Sequence, residues 1–403
     1  MNVNGNIRIA LLGDIVTKIP LFIITLMTIR LLDVDNFANY SFAIATFTMI
    51  SSAVASIFNI AFIVDSKAEN SNYLWFEIFL VFLVSSILAL FSNFYDGLFP
   101  YVFLLLLFHI IFIFNQSVEQ KRLNFIKFYS YEFVRVALFL FIVLAFYFAS
   151  VEKESKLQAD DIFLAQIIAT GIPAIVALLL SSSVRPKMHG IITLAKYLFR
   201  LSGRYLLIYF FVLSMVLSVD FLMLRLFART HDLTDFGAAF RYYAILQMVL
   251  VSIKKVVFPT VAGMTDLKKI RMLLNNNLRQ TIKFIWAMPV ILIVSPFLIP
   301  ILDGGKYPNS ITIFMILACS AYLSLLFSPF ATLMIKYEYY NKLASIVFKM
   351  LFFHCILSYM FIKNYGGHGA ALANLISYGV LNYWVFKSSQ GIVGSLDKSD
   401  SAR

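Results

Sequence analysis

Twelve apolar stretches, each long enough to cross a lipid bilayer, follow one another along the chain with little between them. They fall at about 8–32, 37–64, 73–94, 98–118, 130–150, 161–183, 204–228, 233–262, 281–302, 309–335, 342–362 and 366–386. A bilayer core is crossed by about 20 helical residues. Inside it every backbone N–H and C=O must find its partner within the segment, so such runs read as helices. Of the 403 residues, 61% are hydrophobic and 13% charged, where soluble domains run near 45–50% and about 25%. The expected fold is therefore an all-α polytopic membrane protein with about twelve transmembrane helices. The connections are too short to hold a soluble catalytic domain.

A net charge of +12 suggests a nucleic-acid partner in a soluble protein. Here the positive-inside rule accounts for it first, and no nucleic-acid partner is expected. Of the 33 basic residues, 20 fall on the side of the N-terminus, 5 on the opposite side and 8 within spans. This asymmetry places both termini in the cytoplasm. The longest outer connection, 151–160, is about ten residues. The first stretch carries Asp14, Lys18 and Pro20 and lacks a small-residue cleavage site, so it reads as a retained span. Cys319 and Cys355 lie in apolar runs and read as buried thiols. The five histidines are scattered singly, and no metal-ligand spacing occurs. Neither a metal nor another cofactor is expected.

The chain divides at a basic segment. Ile29-Arg30-Leu31-Leu32 followed by Asn36-Phe37-Ala38-Asn39-Tyr40 is echoed by Leu224-Arg225-Leu226-Phe227 followed by Asp235-Phe236-Gly237-Ala238-Ala239. Six spans per half bring both halves in from the same side, so the repeats are parallel, as in some alternating-access transporters. The expected organisation is a six-helix bundle at 1–183, a basic linker at 184–203, a second six-helix bundle at 204–386 and a cytoplasmic tail at 387–403. Within the linker, 191–201 has an amphipathic pattern suited to the membrane surface.

Charges inside spans cost several kcal/mol unless they are paired or face water, so they are the strongest functional signal. The basic set is Lys18, Arg30, Arg135, Arg225, Arg241, Lys254, Lys255 and Lys349; the clearest acidic members are Asp14 and Asp220. Lys18 lies about 15 Å into its span and Arg241 about 12 Å from the outer surface. Each is either cavity-lining or paired. Arg30, Arg225, Arg135 and Lys349 lie close enough to a surface to snorkel. Asp14 and Lys18 are spaced i, i+4 and can pair, either as a structural salt bridge or as a pair that a proton or sodium ion breaks. Asp220 has no opposite charge at that spacing, so it needs a partner elsewhere or a proton. On the eighth span Arg241, Ser252 and Lys255 share one face, and Tyr243, Gln247 and Lys254 share another; the Arg241 face is the favoured one. Prolines 20, 173, 259, 289, 296, 300 and 329 interrupt spans and are candidate hinges.

Further motifs recur in order: Asp220-Phe221-Leu222-Met223-Leu224, Phe236-Gly237-Ala238-Ala239-Phe240-Arg241, Phe258-Pro259-Thr260, Leu298-Ile299-Pro300-Ile301-Leu302 with Gly304-Gly305-Lys306-Tyr307, and Tyr365-Gly366-Gly367-His368-Gly369-Ala370-Ala371-Leu372-Ala373. In this order, and with Arg30-Leu31-Leu32 and Phe37-Ala38-Asn39-Tyr40 in the first half, the chain resembles the Wzx flippases. These move O-antigen or capsule repeat units and belong to the multidrug/oligosaccharidyl-lipid/polysaccharide (MOP) exporter superfamily. The resemblance implies two six-helix bundles around a central cavity, and transfer of an undecaprenyl-pyrophosphate-linked oligosaccharide across the bacterial inner membrane by alternating access. It also implies as partners the membrane lipids, a polysaccharide polymerase, a chain-length regulator and a coupling H+ or Na+. On that reading Lys18, Arg30, Arg135, Arg225, Arg241 and Lys255 bind the anionic substrate and Asp14 and Asp220 couple it to the ion. A cation-coupled small-molecule (multidrug) antiporter of the same superfamily, which would favour an acidic, aromatic cavity, is the alternative. A membrane polymerase is disfavoured by the short outer loops and by the lack of a carboxylate constellation.

Overall fold

The computed structural model describes residues 3–64, 70–90, 92–95, 97–122, 124–152, 156–180, 203–263, 272, 286–337 and 339–401. Among them there is no strand. The helices are α1 (Val3–Leu31), α2 (Val34–Val64), α3 (Asn70–Ala89), a 3-10 turn (Ser92–Tyr95), α4 (Phe99–Lys121), α5 (Phe125–Glu152), α6 (Ala159–Leu180), α7 (Gly203–Phe227), α8 (Thr230–Gly263), α9 (Ala287–Asp303), α10 (Ser310–Lys336) and α11 (Tyr340–Ser401). Each of the first ten overlies one expected span. The last two expected spans are joined in α11, which is broken at Gly366 by dihedrals of φ 53° and ψ −130°. A residue with a Cβ rarely adopts this conformation. Seven of the described helices are long and apolar enough to cross a membrane. The linker 184–203, its amphipathic stretch 191–201 and the basic connection 264–271 lie almost wholly outside the described residues.

The chain forms two compact units, Met1–Arg204 and Tyr205–Arg403. In the first, α4 packs on α6 and α2, α1 packs on α5, and α3 leans on α4 and α2. In the second, α10 packs on α8 and on α11, and α9 packs on α10. There α7 contributes Val212 and Val216 to a core shared with Phe330, Leu333, Val347 and Leu381.

The two copies of the repeated motif occupy matching places, at the turn from α1 into α2 and from α7 into α8. Asp33 Oδ1 accepts from the Asn36 N–H at 2.9 Å, and Asp232 Oδ2 accepts from the Arg229 N–H at 3.3 Å. A carboxylate at a helix N-terminus meets orphan amides and the positive end of the helix dipole. Beyond each turn the motif buries its Phe (Phe37 and Phe236) and its small residues (Ala38, Ala238 and Ala239). Helix continues through Pro20, Pro173, Pro296, Pro300 and Pro329. The recorded break inside a described helix falls at Gly366, where no proline stands.

Candidate functional site

Each unit holds a polar centre among apolar helices. In the second unit it is built around Asp220, in the middle of α7, which is 0% exposed. His354, also 0% exposed, places Nε2 3.2 Å from Asp220 Oδ1. Ser358, one turn further along α11, donates its hydroxyl to the same oxygen at 2.8 Å. Beyond the Gly366 break, Asn374 donates to Asp220 Oδ2 at 3.5 Å, and Ser377 Oγ lies 3.0 Å from His354 Nδ1. The two arms of α11 therefore close on α7 from both sides of the break. Gln247, itself half-buried, donates to the hydroxyl of buried Tyr243 at 2.7 Å. A buried carboxylate held by a histidine, a hydroxyl and an amide has its lone pairs largely satisfied, and a proton gained or lost there changes the charge of the whole cluster.

In the first unit Arg135 on α5 is buried and bonds Glu132, one turn before it, through two nitrogens; Nε to Oε2 is 3.2 Å. Gln116 on α4 donates to the same Oε2 at 3.2 Å, and the guanidinium stands 5.5 Å from the centre of the Phe112 ring. His109 packs edge-on to Phe47. Glu77 on α3 is buried too.

Of the residues singled out from the sequence, Asp220 finds the partner elsewhere that its spacing required. Arg135 is committed to Glu132. Lys18 is half-buried on α1, Arg30 is exposed in the last turn of α1, and Arg225 is half-buried in the last turn of α7. Arg241 is half-buried on α8 and Lys349 is exposed on α11. The side chains of Asp14, Lys254 and Lys255 lie outside the described part. Among the described residues, none of the predicted cations is a partner of Asp220. The residues that do contact it, His354, Ser358 and Asn374, were not anticipated, and neither were Glu132 and Glu77. A signal existed: Glu132 and Arg135 are spaced i, i+3 and His354 and Ser358 i, i+4, both spacings that meet on one helix face.

No protein-family model and no curated protein sequence matches the chain. Solved structures do match in shape. One is the lipid II flippase MurJ in an inward closed conformation, with a TM-score of 0.72 at 15% identity, covering 95% of this chain and 87% of that one. An inward-facing multidrug resistance MATE family transporter of the MOP superfamily matches with a TM-score of 0.64 at 12% identity, over 99% and 96% of the two chains. The Vibrio cholerae MATE transporter VcmN, as a D35N mutant, matches with 0.62 at 12% identity, over 97% and 98%. The chain has the fold of the MOP-type transporters. This is the all-α polytopic membrane architecture expected from the twelve apolar stretches. These MOP structures are of transporters and a flippase rather than of enzymes.

Proposed function

We propose that the chain is a flippase that carries an undecaprenyl-pyrophosphate-linked oligosaccharide from the inner to the outer leaflet of the bacterial inner membrane, for O-antigen or capsule assembly. Both termini are then cytoplasmic. The observation that carries this reading is the basic character of the spans, in which Lys18, Arg30, Arg135, Arg225, Arg241, Lys254, Lys255 and Lys349 are embedded. A pyrophosphate crossing an apolar barrier needs cations to replace its water, and a guanidinium grips phosphate oxygens with two donors. Glu77 and Glu132 reduce the basic excess without reversing it. Lys18 and Arg241 are the residues assigned to the pyrophosphate. Arg30, Arg225 and Lys255 serve entry and exit. Asp220 with His354, and Asp14 with Lys18, are assigned to ion coupling. The end-to-end likeness to a lipid II flippase supports the same cargo class.

A second reading, a cation-coupled multidrug antiporter, is favoured by the MATE likeness and by the buried Asp220–His354 pair. The test is reconstitution in liposomes with a fluorescent short-chain polyprenyl-pyrophosphate oligosaccharide. Transbilayer movement should require the pyrophosphate and fall about 10- to 100-fold in Lys18→Ala and Arg241→Ala, the worth of a charge-assisted hydrogen bond. Movement of an organic cation driven by a proton or sodium gradient, with none of the lipid, would replace this reading with the antiporter. Lengthening of the oligosaccharide would replace it with a polymerase.

A further inference from the structure

Helix α3 buries one stripe: Tyr73, Leu74, Glu77, Val81 and Ser85, at helical spacing, are all nearly inaccessible. The opposite face, with Phe79, Phe82, Leu83 and Ile87, is exposed. Glu77 therefore points into the bundle. It stands seven residues beyond Asn70, the first residue of α3, which is about 10 Å at the rise of an α-helix. A glutamate is too short to reach the surface over that distance. Its side chain is 1% exposed, and its Oε1 has no hydrogen-bond partner among the described residues.

Nor does a charge answer it. The helices packed on α3 are α4 and α2. From residue 41 to 64, α2 contains no titratable residue; its Asp35 and Tyr40 lie in its first turns, far from the connection to α3. On α4, His109 has Arg135 and Glu132 as its charged neighbours, Tyr101 bonds Asp160, and Glu119 pairs with Arg122; Lys121 ends the helix. Tyr73 shares the buried stripe. Asp65, Lys67 and Glu69 fall in the connection 65–69, outside the described residues. Among the described residues, no charged side chain stands against Glu77.

A carboxylate so placed is very costly in ionised form, and such a group neutralises instead. Even neutral, its unsatisfied oxygen makes it a worse core residue than an apolar side chain of similar size. Packing does not explain its presence. We propose that Glu77 is a proton-binding site of the transport cycle: the carboxyl holds a proton in the conformation seen here and releases it in a conformation that admits water to this face of α3. A metal cation needs several oxygen ligands around it, and among the described residues no three His, Cys, Asp or Glu side chains come together to hold one. A proton needs one oxygen.

The test uses the full-length protein in lipid nanodiscs and compares infrared spectra of wild type and Glu77→Gln between pH 5 and 9. A protonated-carboxyl carbonyl band should be present in wild type at neutral pH and lost in the variant. A difference spectrum holding only carboxylate bands at neutral pH overturns the proposal, as does a neutral-carboxyl band that vanishes on adding sodium. Glu77→Gln and Glu77→Leu should melt no lower than wild type; a marked drop in both would assign Glu77 a structural partner and also overturn the proposal. In proteoliposomes, Glu77→Gln should lose the acceleration of transport by an imposed pH gradient while keeping gradient-independent exchange. Unchanged acceleration would remove the site from the cycle. The infrared and melting arms need no cargo, so their outcome is separate from that of the flippase reading.

Discussion

His354 Nε2 faces Asp220 Oδ1 at 3.2 Å, across two helices and with both side chains fully out of solvent. Removing one partner of such a buried pair leaves the other uncompensated, at a cost of about 3–5 kcal/mol. Asp220→Ala and His354→Ala should each lower thermal stability in detergent by that order. Asp220→Asn, which keeps the shape that Ser358 and Asn374 address, should be milder. The double variant Asp220→Ala/His354→Ala should lose clearly less than the two singles added together. Strict additivity in this cycle would show that the two side chains do not act as a pair.

Gly366 breaks α11 where Asp232, at the start of α8, comes against it. A Cβ at Gly366 would lie 2.1 Å from Asp232 Oδ1, and φ 53° with ψ −130° adds backbone strain of about 1–3 kcal/mol for any other residue. Gly366→Ala should therefore destabilise by more than the strain alone. Asp232→Ser in the same chain shortens the obstructing side chain while keeping an oxygen in the first turn of α8 that can accept from the Arg229 N–H. It should recover the clash and leave the strain. Full recovery would mean that the backbone at 366 carries no strain; no recovery would mean that Asp232 is not the obstruction.

The spans were legible because about 20 apolar residues in a row admit almost one structure in a bilayer. The break at 366 was only half legible. The two expected spans are two helices that meet at a kink on Gly366 without an intervening loop, since glycine tolerates dihedrals that end a helix. The environment of Asp220 was not legible. Its local sequence supplies no counter-charge, which correctly implied a distant partner. A lone histidine in an apolar run such as the one around His354 reads like any core residue until α7 and α11 are brought together. Glu132 stands at i, i+3 from Arg135, a pairing spacing set among aromatic neighbours. Prolines 20, 173, 296, 300 and 329 stand inside helices, because lost helix hydrogen bonds in spans can be made good by neighbouring groups without ending the helix.

Gly13 on α1 marks the crossing with α5. A Cβ there would fall 2.3–2.7 Å from ring carbons of Tyr129. Two effects oppose each other in Gly13→Ala: helix propensity gains about 0.5–1 kcal/mol, and overpacking loses about 1–3 kcal/mol. The contact is close enough that overpacking should win, with a net loss near 1 kcal/mol or more. In a Tyr129→Ala background, which deletes the Cγ and ring carbons that a Cβ at Gly13 would meet, the same substitution should become neutral or stabilising, because only the propensity gain remains. Thermal unfolding of the four proteins decides it. A stabilising Gly13→Ala in the native background would mean that the ring moves aside freely.

Arg135 tests whether every embedded cation serves the substrate. Its guanidinium fork is already occupied by Glu132, which Gln116 also holds, and it lies over Phe112. A fork filled in this way has few donors left for a pyrophosphate. Arg135→Gln should cost about 3–5 kcal/mol of stability by stranding Glu132, and Glu132→Gln should cost a similar amount by stranding Arg135. The double variant Glu132→Gln/Arg135→Gln removes both charges and should regain at least half of the single-variant loss. Reconstituted after folding is verified, it should move the lipid-linked oligosaccharide within about threefold of wild type, a fraction of a kcal/mol, whereas Lys18→Ala and Arg241→Ala fall by tenfold or more. A well-folded double variant with transport reduced as far as those two would put Arg135 back among the residues that grip the cargo.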